Sequence, residues 1–173
     1  MKSLNIKTLD GGDFKVDWEL IQKSPTLKTM VEDLGINQDS VGEDTIPLSN
    51  EKVTSEVFEK VLKWLEHFRG YPEPTEIYDN EDDPLKPRVP ANVHHLNSWE
   101  QKYIDIPVPK MFPLFICAKF LEIKGLSRLM AMALALQMQG KTGEEIRKNW
   151  TDKELQKLRE DYPWGPSIND IHF

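Results

Sequence analysis

The chain has 173 residues, enough for one domain with a substantial core, and 39% of them are hydrophobic. Its 29 acidic and 22 basic side chains give a formal net charge of −7, which argues against a nucleic-acid partner bound through clustered lysines and arginines. The single cysteine, Cys117, excludes an internal disulfide framework and a Cys-ligated metal site, and no apolar run is long enough to span a membrane.

The N-terminal segment, MKSLNIKTLDGGD, lacks the apolar core of a signal peptide, so we expect a soluble protein of the cytoplasm or nucleus. Its alternating apolar residues, on either side of a Gly-rich turn at Asp10–Asp13, predict a β-hairpin instead. Two short helices are expected next, one around Trp18 and one that Thr26 caps and Gly35 ends.

The following elements are a short strand and an amphipathic helix. The strand is Ile46-Pro47-Leu48, and the central proline predicts that it lies at a sheet edge, because proline has no N–H for a second neighbour. The helix is expected to begin at Ser49 or Asn50 and to end at Gly70, with apolar residues at helical spacing.

Residues 71–98 differ in composition from the rest of the chain. They contain five of the 12 prolines and six acids but little periodic apolar pattern, which is typical of a solvated loop. The acids and His94-His95 are candidates for a catalytic or metal site, yet no cysteine or carboxylate lies at helical ligand spacing beside the histidines. We therefore predict no metal, no cofactor and no catalytic residue.

The longest nearly uncharged run is MFPLFICAKFLEIKG, from Met111 to Gly125. It predicts a buried helix with Pro113 in its first turn and Gly125 as its C-terminal cap. Because its apolar residues surround most of the helix, it must contact neighbours on more than one face. The few polar residues within it, above all Lys119 and Glu122, need solvent or a partner.

The C-terminal third predicts three further helices, over Leu126–Met138, from Gly143 to about Trp150, and over Asp152–Asp161. A capping box of Thr and Glu opens the second of them, and the GKT before it lacks the upstream glycines of a phosphate-binding loop. Trp150 and Trp164 lie at the two ends of this last part, after a run of Leu, Met and Ala. Such residues are typical of a helix-binding surface, and the alternative is that they pack on the N-terminal part.

Taken in order, these motifs resemble the Skp-type adaptor of the SCF (Skp–cullin–F-box) ubiquitin ligases. The motifs are the D-G turn followed by F-x-V, then TLKTMVEDLG, IPLSN, WEQKY, FLEIKGL and GKTGEEIRK, and they cover Leu4 to Trp164. The resemblance implies an α+β fold with a BTB/POZ domain in residues 1–126, whose acidic, Pro-rich loop is 71–98. It also implies C-terminal helices in 127–164 and leaves a tail at 165–173, which extends beyond the usual end of the family.

The resemblance further implies a non-catalytic adaptor that links F-box substrate receptors to a cullin scaffold for protein ubiquitination. The F-box surface is then predicted to comprise Phe112, Ala131, Leu134, Ala135, Met138, Ile146, Trp150, Leu158 and Trp164. The cullin surface is predicted to comprise Ile46, Pro47, Lys119 and Phe120.

Two residues of this cullin surface depart from the family pattern, which typically has Asn-Tyr where this chain has Lys119-Phe120. A lysine in place of a neutral amide introduces a cation that must be paired when a partner covers it, so a cullin with an acidic residue opposite Lys119 would suit it. The alternative is a diverged paralogue that binds F-box proteins, or forms a homodimer through its BTB domain, without engaging a cullin.

Overall fold

A computed structural model describes residues 3–36, 45–71 and 96–161, which form a three-stranded sheet packed against helices. This is the α+β fold that the sequence predicts. In chain order its elements are β1 (Ser3–Thr8), β2 (Asp13–Asp17), α1 (Trp18–Ile21), α2 (Pro25–Asp33), β3 (Thr45–Leu48), α3 (Ser55–His67), α4 (Ser98–Tyr103), α5 (Val108–Phe120), α6 (Lys124–Met138), α7 (Gly143–Arg147) and α8 (Asp152–Asp161).

The sheet has the strand order β2-β1-β3 and confirms the predicted hairpin. β1 pairs antiparallel with β2, so that Leu4 lies opposite Val16, and parallel with β3, so that Ile6 lies opposite Ile46. All four of these side chains are buried in the main core. β3 lies at the edge of this sheet, as the proline at position 47 predicts. Among the described residues, the side of β3 that faces away from β1 has no strand to which a backbone N–H would have to donate.

The hairpin turn is joined to the start of α3 by Asp10. Its carboxylate accepts hydrogen bonds from the Ser55 backbone N–H at 2.8 Å, the Ser55 hydroxyl at 2.8 Å and the Thr8 hydroxyl at 2.6 Å. The Thr8 hydrogen bond, followed by those from Ser55, lowers the pKa of Asp10 to about 2. Gly12 lies against this group, and a Cβ there would clash with the Ser55 hydroxyl.

The start of α3 corrects the sequence prediction. The helix begins at Ser55, with the Thr54 hydroxyl accepting from the Val57 N–H, rather than at Ser49 or Asn50. The Asn50 side chain accepts from the Lys52 N–H at 2.9 Å, and its carbonyl accepts from the Val53 N–H at 2.9 Å. These local bonds stabilise a turn, which is why the helix starts five residues later than residue 50.

The apolar helix predicted at Met111–Gly125 is present, but its limits differ. α5 begins three residues earlier, at Val108, so Pro113 lies inside the helix and not in its first turn. Pro107 and Pro109 already lie at the start of the helix. Backbone N–H groups there have no acceptor within the helix, so the N–H that a proline lacks is not missed. The helix packs against α3 on one side and α6 on another, as expected for a helix that is apolar around most of its circumference.

α5 ends at Phe120, and Gly125 is not its cap. Glu122 takes the left-handed conformation instead, with φ of 55°. Its N–H donates to the Lys119 carbonyl at 3.2 Å, while the Ile123 N–H donates to the Ala118 carbonyl at 2.9 Å. This is a Schellman motif built on glutamate, and it lets α6 begin at Lys124.

The beginning of α2 contacts the end of α5 through two hydroxyls. Ser24, not Thr26, is the N-cap of α2, and its Oγ accepts from the Leu27 N–H. The same Oγ donates to the Leu121 carbonyl at 2.6 Å, and Thr26 Oγ1 donates to the Phe120 carbonyl at 2.7 Å. Two carbonyls left without helical partners at the end of α5 are thereby satisfied.

α4 attaches the chain that follows the acidic segment to α3. Trp99 stacks on His67 with centroids 3.6 Å apart, and Tyr103 donates its hydroxyl to the Lys60 carbonyl at 2.8 Å. The predicted loop 71–98 extended into this element, because Asn97 is the helix N-cap and Ser98 its first residue. Residues 72–95, with His94-His95, lie outside the described part of the chain.

Candidate partner-binding surfaces

Phe112 of α5 and Trp150, which follows α7, lie against each other. Their ring centroids are 6.5 Å apart in an edge-to-face arrangement, and both side chains are half-buried. An aromatic pair that keeps part of its area exposed offers a rigid apolar contact to a partner, at a small cost in side-chain entropy. The structure thus brings together two residues of the predicted F-box surface that are 38 positions apart in the sequence.

A groove of about 570 Å³ opens beside this pair. It lies between the start of α3, the start of α5, and α8. Its apolar lining is Val57, Ile106, Pro109, Phe112, Pro113, Leu114 and Trp150, and its charged residues are Glu51, Lys52, Glu56, Lys60, Lys110, Glu154 and Lys157. Glu56 and Lys110 form an ion pair of 2.6 Å that links α3 to α5 at the groove. Below we call this the α3–α8 groove.

The C-terminal half of α6 exposes apolar side chains. Leu129, Met130 and Ala133 are buried, whereas Ala131 and Ala135 are exposed, one helical turn apart on the opposite side. Leu134 is half-buried, and Met138 is 45% exposed. Leu136, at 39% exposure, belongs to this exposed end of the helix as well, although the resemblance does not include it. Exposed apolar residues on one helix indicate a surface that a partner covers.

α7 and α8 are short helices that their own caps define. Thr142 and Glu145 form the predicted capping box, and the same arrangement recurs at Thr151 and Glu154, where the sequence analysis did not identify it. In each box the hydrogen bonds from the threonine lower the pKa of the glutamate. Among the apolar side chains that the structure describes on these helices, Ile146 on α7 is half-buried and Leu155 on α8 is buried.

Seven of the nine residues predicted for the F-box surface fall within the described side chains. Phe112 and Trp150 are in contact, and Ala131, Leu134, Ala135, Met138 and Ile146 occupy α6 and α7 with exposed or half-buried side chains. The Leu158 side chain and Trp164 lie outside the described part. Val57 and Ile106 were not predicted as neighbours of the site, because only the folding of distant segments places them at the groove.

The four residues predicted for the cullin surface differ in exposure. Pro47 and Lys119 are exposed and Phe120 is half-buried, whereas Ile46 is only 1% exposed. The prediction therefore needs a correction, because the Ile46 side chain faces the core beside Ile6 and is not available to a partner. Its neighbour Pro47 points to the other face of the strand, as the alternation of a β-strand requires.

Lys119, the departure from the family pattern, is exposed. Its Nζ lies 5.9 Å from the centroid of the Phe115 ring, within the range of a cation–π contact. Phe120 packs partly against the core, and its carbonyl is held by Thr26. Lys119 is thus a solvated cation on a fixed backbone. A partner that covers it removes water from the ammonium group and has to supply a negative group in compensation.

The chemistry of nucleophiles and metals finds no support in the described residues. Burial raises the pKa of Cys117 to about 12, which keeps its thiol protonated and unreactive at neutral pH. Within residues 3–36, 45–71 and 96–161, no group of three His, Cys, Asp or Glu side chains is placed to hold a metal ion. The helices of this same part are all too short or too polar to cross a membrane.

Comparison with known proteins agrees with the fold and with the order of the motifs. Residues 2–70 match the family model described as the Skp1 family, tetramerisation domain. A "Skp1-related protein" of Caenorhabditis elegans is 27% identical over 94% of this chain and 91% of its own length. The "E3 ubiquitin ligase complex SCF subunit sconC" of Arthroderma benhamiae is 30% identical over 94% of each chain, and its namesake in Arthroderma otae is 28% identical. Similarity of this extent, together with an α+β domain followed by C-terminal helices, shows that the chain belongs to the Skp1 family.

Proposed function

We propose that this protein is a non-catalytic adaptor of a ubiquitin ligase, which binds an F-box receptor through its C-terminal helices and a cullin through its BTB/POZ part. The observation that carries the proposal is the half-buried aromatic pair of Phe112 and Trp150, on a protein whose α6 exposes apolar side chains at its C-terminal end. Relatives that span nearly the whole chain carry the name of an SCF ligase subunit, which supports the same role.

In this proposal the adaptor contributes by proximity alone. Holding a receptor and a scaffold on one molecule raises the effective concentration of the receptor's substrate near the ubiquitin-charged enzyme. Such a role needs two separate surfaces and no reacting group. The two proposed surfaces share α5, on which Phe112 and Lys119 lie about 10 Å apart along the helix axis at 1.5 Å per residue.

The cullin surface is proposed to consist of Pro47, Lys119 and Phe120, without the side chain of Ile46. The exposed Lys119 cation determines what can bind there. A cullin that places a carboxylate opposite Lys119 would gain an ion pair, while one with only apolar or amide groups there would leave the cation desolvated. We also keep the predicted homodimer through the BTB/POZ part, and the cytoplasmic or nuclear location, as proposals that sedimentation and cell fractionation test.

The receptor-binding half of the proposal is tested with Trp150→Ala. Removing this aromatic anchor is expected to weaken binding of a purified F-box domain by about 2–4 kcal/mol, roughly 30- to 1000-fold in affinity. Asn149→Ala, a neighbouring exposed position, serves as the matched control and is expected to leave the affinity unchanged. Circular dichroism checks that both variants stay folded, and titration calorimetry measures Kd. Equal affinities for the two variants would remove Trp150 from the binding surface.

A further inference from the structure

The α3–α8 groove is lined in part by α8 itself. Glu154 and Lys157 lie on its wall, while Leu155 between them is only 6% exposed. α8 is therefore packed down on the domain at the groove.

The distance back into the groove is short. α8 ends at Asp161, four residues after Lys157, which corresponds to about 6 Å along a helix axis. An extended chain covers about 3.3 Å per residue, so residues 162–164 already suffice to reverse direction. Pro163, Gly165 and Pro166 disfavour a straight continuation of the helix and favour such a reversal.

The tail, residues 165–173 (GPSINDIHF), matches the groove chemically. It carries three large apolar residues, Ile168, Ile171 and Phe173, with one acid and no lysine or arginine. The groove has an apolar lining and charged residues that include four lysines, at positions 52, 60, 110 and 157, against three glutamates. An apolar segment of slight negative charge suits an apolar groove of slight positive charge.

We propose that in the free protein the tail folds back into the α3–α8 groove and covers the Phe112–Trp150 pair, and that an F-box receptor has to displace it. Docking of the tail is an intramolecular event, so even a weak contact is populated because the tail belongs to the same chain as the groove. The receptor's apparent affinity is reduced by the fraction of molecules in which the tail is docked. The competition rests on the proposed function, whereas the docking of the tail does not.

Docking is tested on the full chain with engineered cysteine pairs. Ile171→Cys is combined either with Lys60→Cys, at the groove, or with Lys148→Cys, an exposed position near α8 that does not line the groove. The buried Cys117 has a pKa raised to about 12 and does not interfere. Mass spectrometry after mild oxidation is expected to show the disulfide to position 60 forming about tenfold faster than that to position 148. Equal rates for the two pairs would refute the docking.

Competition is tested with a tail variant that keeps its length. Ile168→Ser, Ile171→Ser and Phe173→Ser are combined, and Asn169→Ser alone is the matched control. The triple variant is expected to bind an F-box domain about three- to tenfold more tightly than the control. An unchanged affinity, despite the preferred disulfide at position 60, would overturn the competition alone. Loss of F-box binding by every form, including the unmodified protein, would overturn the proposed function, while the disulfide rates would still decide the docking.

Discussion

Ser24→Ala removes two hydrogen bonds at the junction of α2 with the end of α5. The Ser24 side chain is fully buried, and its Oγ both accepts from the Leu27 N–H at 3.2 Å and donates to the Leu121 carbonyl at 2.6 Å. Loss of the helix cap costs about 1 kcal/mol. A buried carbonyl left without its donor adds about 1–3 kcal/mol. We expect the free energy of unfolding to fall by about 2–4 kcal/mol in total.

Thr26→Val is the matched control, since it removes one hydroxyl from the same junction and replaces threonine by a side chain of similar size. Thr26 donates to the Phe120 carbonyl at 2.7 Å, is half-buried and does not cap α2, so about 1 kcal/mol is expected. Equilibrium urea unfolding, followed by far-UV circular dichroism, measures both variants. If Ser24→Ala cost no more than Thr26→Val, the buried cap would not be the contact that fixes the end of α5.

Three further variants test local features of the fold. Asp10→Asn is expected to make the free energy of unfolding depend less on pH between pH 3.8 and about 2. The pKa of Asp10 is lowered from 3.8 to about 2, so its carboxylate stabilises the fold above pH 3.8 and this contribution is lost as the pH falls towards 2. Urea unfolding at a series of pH values measures the effect. Gly12→Ala is expected to cost about 1–3 kcal/mol in urea unfolding, since the new Cβ would push the Ser55 hydroxyl away from Asp10. Glu122→Gly is expected to raise the stability by up to about 1 kcal/mol in the same assay, because glycine takes the left-handed conformation without steric cost. The first expectation would be contradicted if the Asn variant had the same pH dependence of unfolding as the unmodified protein. The other two would be contradicted if Gly12→Ala left the free energy of unfolding unchanged, or if Glu122→Gly lowered it.

Patterns local in sequence predicted the elements well. Alternation around Asp10–Asp13 is enough for a hairpin, because both strands and their turn lie within 15 residues. Proline at position 47 predicted an edge strand, since a residue without an N–H cannot donate a hydrogen bond to a second neighbouring strand. The Thr142–Glu145 box likewise depends on four consecutive residues and is present as expected.

Helix limits and burial depend on partners that the local pattern does not contain. At the start of α3 the local bonds of Asn50 and the Thr54 cap are joined by Asp10, 45 positions before Ser55, which accepts from the Ser55 backbone N–H. Ser24 became the N-cap of α2 at a point where its hydroxyl also reaches the end of α5. Ile46 was predicted on a partner surface, but its parallel pairing with Ile6 directs the side chain into the core. These outcomes follow from long-range packing and cannot be obtained from spacing alone.

The candidate receptor surface was predicted as a set of residues but not as a shape. Trp150 and the run of Leu, Met and Ala in α6 were already indicated by the residues, Phe112 came from the resemblance, and the structure places Phe112 and Trp150 in contact. The α3–α8 groove beside them requires Val57 from one part of the chain and Ile106 from another. No periodicity links those positions, since they meet only after α3 has packed on α5.

The central claim is that one molecule of this protein holds an F-box receptor through its C-terminal helices and a cullin through its BTB/POZ part at the same time. The most direct measurement is the mass of the complex formed when the protein is mixed with an F-box domain and the N-terminal part of a cullin, by size-exclusion chromatography with light scattering. We expect a single species that contains one copy of each component. Two separate binary complexes, or loss of one partner as the other is added, would contradict it.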